Sequence, residues 1–110
     1  MQYTRYQQYV ILYVLERIKE ADLIIDPREV LYFDEMLSAF CISVEEIESL
    51  ESLDLIKCRD CIIEMNSEQK KDVRRIFEKM ASIDEIIDPR EIAVIEMVLG
   101  SKTRKDMIAR

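Results

Sequence analysis

The sequence has no histidine, one glycine, two prolines and three cysteines in 110 residues. The absence of histidine removes the commonest general base and the commonest metal ligand. So little glycine and proline excludes a collagen-like or disordered chain. Three cysteines, an odd number, are atypical of a disulfide scaffold and agree with a reducing compartment. With 49% hydrophobic and 35% charged residues, the composition predicts one folded domain.

Long apolar runs are also missing from this sequence. The longest run, Tyr9–Leu15, is far shorter than the roughly 20 residues that a membrane-spanning helix needs. No apolar stretch of the kind found in a secretory signal follows Met1. We therefore expect a cytoplasmic protein without a transmembrane segment.

Charge has one prevailing sign. There are 23 acidic and 16 basic residues, for a net charge of −7, and this excludes the broad basic surface on which nucleic-acid binding depends. Residues 43–54 carry five acids and no base, whereas residues 101–110 carry four bases and one acid. We therefore expect a single domain over residues 1–100 and a basic tail over 101–110. Peripheral membrane association through that tail, or contact with an acidic partner, stays open.

Apolar residues recur at helical spacing throughout the chain, and strict alternation over a strand length is absent. The predicted fold class is all-α, a compact bundle of about six helices. Their predicted bounds are 2–22, 27–40, 43–51, 53–65, 68–84 and 89–99, with Gly100 as the final stop. Ser43 and Glu46 predict a capping box at the third helix. The sixth helix has one polar residue between Ile92 and Leu99, which predicts a central position with the second helix as its partner.

Cys58 and Cys61 form a Cys-x-x-Cys pair, a spacing shared by zinc knuckles and thiol redox centres. Zinc needs about four ligands, and Cys41 is the one further thiol. The pair also falls at helical spacing with Leu55 and Ile62, which favours packing in the core. A cysteine-based redox or metal sensor remains an alternative.

The most specific feature of the chain is an internal duplication. The hexapeptide Ile24–Glu29 recurs unchanged as Ile86–Glu91, and Asp22 matches Asp84 in the same register. When residues 15–38 are aligned with residues 77–100, nine of the 24 positions are identical. The repeat predicts two helix–turn–helix units of common ancestry packed about a pseudo-twofold axis.

Each copy of the hexapeptide has the features of a helix start. Asp26 suits the N-cap, Pro27 suits the first helical position, and Glu29 at the third position can bond back to the N-cap amide. The second copy repeats these elements. A cation near a helix N-terminus is unfavourable. We therefore expect Arg28 and its counterpart Arg90 to pair with acids such as Asp22 or Asp84.

The same turns offer oxygen ligands for a hard cation such as Ca²⁺ or Mg²⁺. The candidate ligands share an acidic side chain and a place in or beside the repeat: Asp22, Asp26, Glu29, Asp84, Asp88 and Glu91. The spacing is not that of an EF-hand, because Pro27 and Phe33 stand where the loop needs a glycine and a bidentate glutamate. A metal-dependent enzyme that uses these carboxylates is a second alternative, although such sites usually include histidine.

Residues Met80–Glu91, and more loosely Ile18–Glu29, resemble the TerB-like domain of tellurite-resistance proteins, which also occurs in membrane-anchored DnaJ-like co-chaperones. The family signature is a helix that ends in Ala-x-x-Asp-Gly, followed by a helix whose glutamate lies seven residues after the aspartate. Asp22–Glu29 and Asp84–Glu91 keep that spacing. The likeness covers about residues 10 to 100.

The resemblance implies a doubled, all-helical, non-catalytic module in a stress-response or membrane-linked assembly. A protein partner or a homo-oligomer and a divalent cation at the acidic turns are the expected associations. Where the family has a glycine, this sequence has Leu23 in the first copy and Glu85 in the second. We therefore expect a differently built turn, with Glu85 as a further candidate ligand. The resemblance implies no catalytic residue.

Overall fold

The computed structural model describes residues 2–21, 26–83 and 88–100. Within these ranges there are six helices and no strand, which confirms the all-α class. The helices are α1 (Arg5–Glu20), α2 (Pro27–Ala39), the 3₁₀ helix η1 (Val44–Ser52), α3 (Leu55–Ile63), α4 (Ser67–Ser82) and α5 (Pro89–Leu99). Every predicted bound lies within three residues of the observed one. None of the helices in these ranges is long and apolar enough to cross a membrane.

Helix α1 is the central element of the bundle, in contact with α2, η1, α3, α4 and α5. Its apolar run surrounds the helix, and six of its side chains are fully buried: Val10, Ile11, Leu12, Val14, Leu15 and Ile18. A helix that is apolar all round is stable only when other helices cover it. The longest apolar run of the sequence therefore marks the centre of the core.

The predicted central position of the last helix is wrong. Helix α5 packs against α1, α3 and α4, but it leaves Ala93 and Met97 exposed. Helix α2, its predicted partner, packs chiefly against α1. The small number of polar residues in α5 did not mean that the helix is buried on all sides, because single apolar side chains are common on protein surfaces.

The segment η1 is a 3₁₀ helix, in which side chains three residues apart eclipse one another. Its sequence has the matching period of three. One row is apolar and consists of Val44, Ile47 and Leu50, followed in the same register by the C-cap Leu53. Val44 is exposed, Ile47 is half-buried, and the two leucines are buried. A second row is acidic and exposed: Glu45, Glu48 and Glu51. The predicted capping box is confirmed, since Ser43 Oγ accepts from the Glu46 amide at 3.3 Å and Glu46 Oε1 accepts from the Ser43 amide at 3.4 Å.

The duplication extends over both helices of each unit. Helices α1 and α4 each have 16 residues, and the offset between their starts is the same as the offset between the starts of α2 and α5. Both first helices begin with a capping box, Thr4 with Gln7 and Asn66 with Gln69. Four buried positions correspond as well: Ile11 with Val73, Val14 with Ile76, Leu15 with Phe77, and Ile18 with Met80. The pseudo-twofold axis stays a prediction.

The predicted stop of the last helix is confirmed. Gly100 follows α5 with a φ of 81°, and its amide donates to the carbonyl of Glu96 at 2.7 Å. Glycine adopts this left-handed conformation without steric penalty.

Candidate functional site

The two repeated turns have the same hydrogen-bonded geometry at the start of their second helix. Asp26 is the N-cap of α2, and its Oδ1 accepts from the Arg28 amide at 2.8 Å. The Arg28 guanidinium donates to both carboxylate oxygens, at 3.2 Å from Nε and 3.0 Å from Nη2. Asp88 and Arg90 repeat these bonds at 2.8, 3.1 and 2.8 Å. In each Asp-Pro-Arg unit the aspartate is therefore hydrogen-bonded to both the amide and the guanidinium of the arginine two residues later. We call this arrangement a clamp.

These clamps explain the two arginines that capping alone did not. Among the described residues Arg28 pairs with the N-cap Asp26, and its expected partner Asp22 lies outside the described residues. The arginine hydrogen bond, with the bond from the same residue's amide, holds the pKa of Asp26 and Asp88 below its ordinary value. Sequence reasoning missed the pair with the cap because it looked to Asp22 for an acid and not to Asp26. The signal was present, since residue N2 lies directly beside the N-cap side chain.

Glu29 and Glu91 are the two buried charged residues of the described chain, 1% and 0% exposed. Each is the third residue of its helix, where the positive end of the helix dipole favours a carboxylate. The predicted N-cap role of Asp26 and Asp88 is confirmed, and each side chain accepts from the second helical amide. Burial of the two glutamates could not be foreseen, since glutamate is almost never fully buried.

Four of the seven candidate ligands can be placed. Asp26 and Asp88 are half-buried and bonded to arginine, and Glu29 and Glu91 are buried. The other three, Asp22, Asp84 and Glu85, lie outside the described residues. Within the described ranges no three cysteine or acidic side chains are grouped so as to hold a metal. A complete site would therefore need ligands from residues 22–25 and 84–87.

The Cys-x-x-Cys pair lies on α3, where Cys58 is buried and Cys61 is half-buried. The Cys58 thiol faces the carbonyl of Val10 at 4.0 Å, and burial raises its pKa to about 12. Burial also raises the pKa of Cys61. The thiolate is the reactive and metal-binding form of cysteine. The packing interpretation of Cys58 is confirmed. Because burial keeps its thiol protonated, the site disfavours a redox or soft-metal centre.

Tyrosine hydroxyls join helices of the bundle. The Tyr3 hydroxyl donates to Asp72 Oδ2 at 2.6 Å, which ties the chain before α1 to α4. The Tyr9 hydroxyl donates to Glu46 at 2.7 Å, and Tyr32 donates to the carbonyl of Ile76 at 3.3 Å. These bonds fasten η1 to α1 and α2 to α4.

Comparison with protein-family models, with curated proteins and with solved structures finds no match to this chain. Membership of the TerB-like family stays a prediction.

Proposed function

We propose that this chain is a non-catalytic TerB-like helical module, a protein-interaction or stress-response component of the tellurite-resistance type, with a divalent-cation site at its repeated acidic turns. The observation that supports this is the burial of Glu29 and Glu91 at equivalent positions of two duplicated units. Buried charge is weak evidence for stability, since a buried ion pair can often be replaced by apolar residues of similar volume without loss. A role for the carboxylates explains why both copies have a glutamate here.

The chemistry of the turns favours a hard cation. Every candidate ligand supplies oxygen, which suits Ca²⁺ or Mg²⁺. Because arginine occupies both oxygens of Asp26 and of Asp88, we assign these two aspartates to holding the turn. The proposed ligands are then Asp22 and Glu29 in the first copy, with their counterparts Asp84 and Glu91 and the additional Glu85 in the second.

The cation site is tested by thermal unfolding, first in chelator and then with Ca²⁺, Mg²⁺, Mn²⁺ or Zn²⁺. A ligand that binds only the native state at 100 times its Kd stabilises by about 2.7 kcal/mol. We expect a rise in Tm with Ca²⁺ or Mg²⁺ for the natural chain and none for the double variant Glu29→Gln, Glu91→Gln. The matched control is Asp34→Asn with Glu35→Gln, two exposed acids of α2.

Two outcomes would contradict the cation site: no rise in Tm with any cation, or the same rise in the glutamate variant as in the control. Comparing the shift in Tm, and not Tm itself, removes the effect of the substitutions on basal stability. The interaction role has a separate test, native mass spectrometry at micromolar concentration. A strictly monomeric chain that also captures no partner in a pull-down would count against that role.

A further inference from the structure

The outer surface of η1 and α3 combines exposed apolar side chains with an excess of acid. Ile56 is 71% exposed and Ile63 is 54% exposed. They lie seven residues apart, two turns of helix, and therefore share one face of α3. Asp60, between them, and Glu64, one residue beyond, are exposed as well. We call this region, residues 44–64, the η1–α3 surface.

Negative charge on this surface is not balanced locally. Residues 44–64 carry seven acids and two bases. Five exposed carboxylates have no base within ion-pair distance in the described part of the chain: Glu45, Glu48, Glu51, Asp60 and Glu64. The 3₁₀ geometry brings members of the acidic row to about 6 Å from one another along the axis. Like charges at that spacing attract a cationic partner.

A segment of complementary chemistry follows α5. Residues 101–110 carry four bases against one acid, and they also contain two adjacent apolar residues, Met107 and Ile108. This is the composition that an acidic surface with two exposed isoleucines would accept. Charge and apolar character are therefore matched between the two regions.

The starting point and length of this segment allow contact within one molecule. It begins directly after Gly100, the C-cap of α5, and α5 packs against α3. Ten extended residues span at most about 33–36 Å. Two of the three dimensions of the domain, 32 and 23 Å, are no greater than that span.

We propose that residues 101–110 dock on the η1–α3 surface of the same molecule. Their lysines and arginines lie against the exposed carboxylates, and Met107 and Ile108 cover Ile56 and Ile63. Single exposed ion pairs are weak, but attachment to α5 gives the segment a high effective concentration at this surface. The docking is salt-sensitive because its charged contacts are exposed.

Zero-length carbodiimide coupling of the full chain tests the proposal, with the products of the monomer band mapped by mass spectrometry. We expect Lys102 and Lys105 to couple mainly to acids of residues 44–64, with a several-fold lower yield in 0.5 M salt. The proposal is overturned if the two lysines couple mainly to other acids, such as Asp34 and Glu35 of α2, or if these links occur only in a dimer band. Metal is removed with chelator, and the chelator is removed by desalting before coupling, so the result does not depend on the proposed cation site.

A pair of variants tests the apolar part of the contact. Ile56→Ser with Ile63→Ser changes exposed residues and leaves the core intact, and Leu31→Ser on α2, at 61% exposure, is the matched control. We expect the isoleucine variant to lower the coupling yield of Lys102 and Lys105 several-fold, and the control to leave it unchanged. Equal yields in both variants would overturn the docking of Met107 and Ile108 on this face.

Discussion

Glu29 and Glu91 occupy the same place in the second helices of the two duplicated units, three positions after an aspartate N-cap, and both are fully buried. The arginine between cap and glutamate bonds back to the cap in both copies. The two copies thus share a clamp at the helix start and a carboxylate in the interior.

Replacing either buried glutamate by alanine should cost about 2–4 kcal/mol of unfolding free energy, since it leaves a cavity in the interior and removes the contacts of the carboxylate. Glu29→Ala and Glu91→Ala should be similar, because their positions are equivalent. Urea unfolding measures both. The control is Glu35→Ala, an exposed position of α2, which should change the unfolding free energy by no more than about 0.5 kcal/mol. A cost for Glu29→Ala no larger than for the control would contradict a structural role for the carboxylate.

The helix starts of the duplicated units should contribute equally. Thr4→Ala and Asn66→Ala each remove a side chain that accepts from the amide of a glutamine three residues later. We expect each to lower the unfolding free energy by about 1 kcal/mol. Ser67→Ala, one residue into α4 and exposed, should change it little. If Asn66→Ala behaves like Ser67→Ala, the capping box of α4 is not stabilising.

Acid should weaken the clamps. The pKa of Asp26 and Asp88 is lowered in the folded state, so their contribution is complete above the unfolded value near 4 and is lost as the pH falls through the lower, folded value. We expect Tm between pH 5 and pH 2 to fall less steeply in Arg28→Gln with Arg90→Gln than in the natural chain. Arg59→Gln on α3 is the control, and parallel curves for all three proteins would refute the effect.

The three thiols should differ in reactivity. Cys41 is exposed and should react with Ellman's reagent in the native protein at pH 8. Cys58, with a pKa raised to about 12 by burial, should react only after unfolding, and Cys61 should react slowly. Mass spectrometry of the labelled peptides identifies the order. Fast native labelling of Cys58 would revive the redox alternative.

The period of three in η1 can be tested within one row. Leu50→Ala should cost about 2–4 kcal/mol because this side chain is buried. Val44→Ala, in the same row but 74% exposed, should cost no more than about 0.5 kcal/mol. Chemical denaturation compares the two. Similar costs would mean that the row does not turn inward as the 3₁₀ geometry requires.

Local chemistry was sufficient for much of this fold. The all-α class, the bounds of the helices, the Ser43 capping box and the Gly100 stop follow from periodicity and from side chains that bond to amides a few residues away. The duplication was visible in the sequence from residue 15 onward. Its earlier part, marked by Thr4 and Asn66, was missed because capping residues vary in type while keeping the same hydrogen bond.

Tertiary structure decided the rest, because burial depends on neighbours that are distant in the sequence. Helix α1 and not α5 is central, since a side chain is buried only where other elements cover it. The same applies to Glu29 and Glu91: their sequence context predicts a helix start, and only the packing of the helices places both side chains inside. The sequence by itself determined where the helices begin and end and that the unit is doubled; only the packing of the helices decided which carboxylates are enclosed and which lie on the surface.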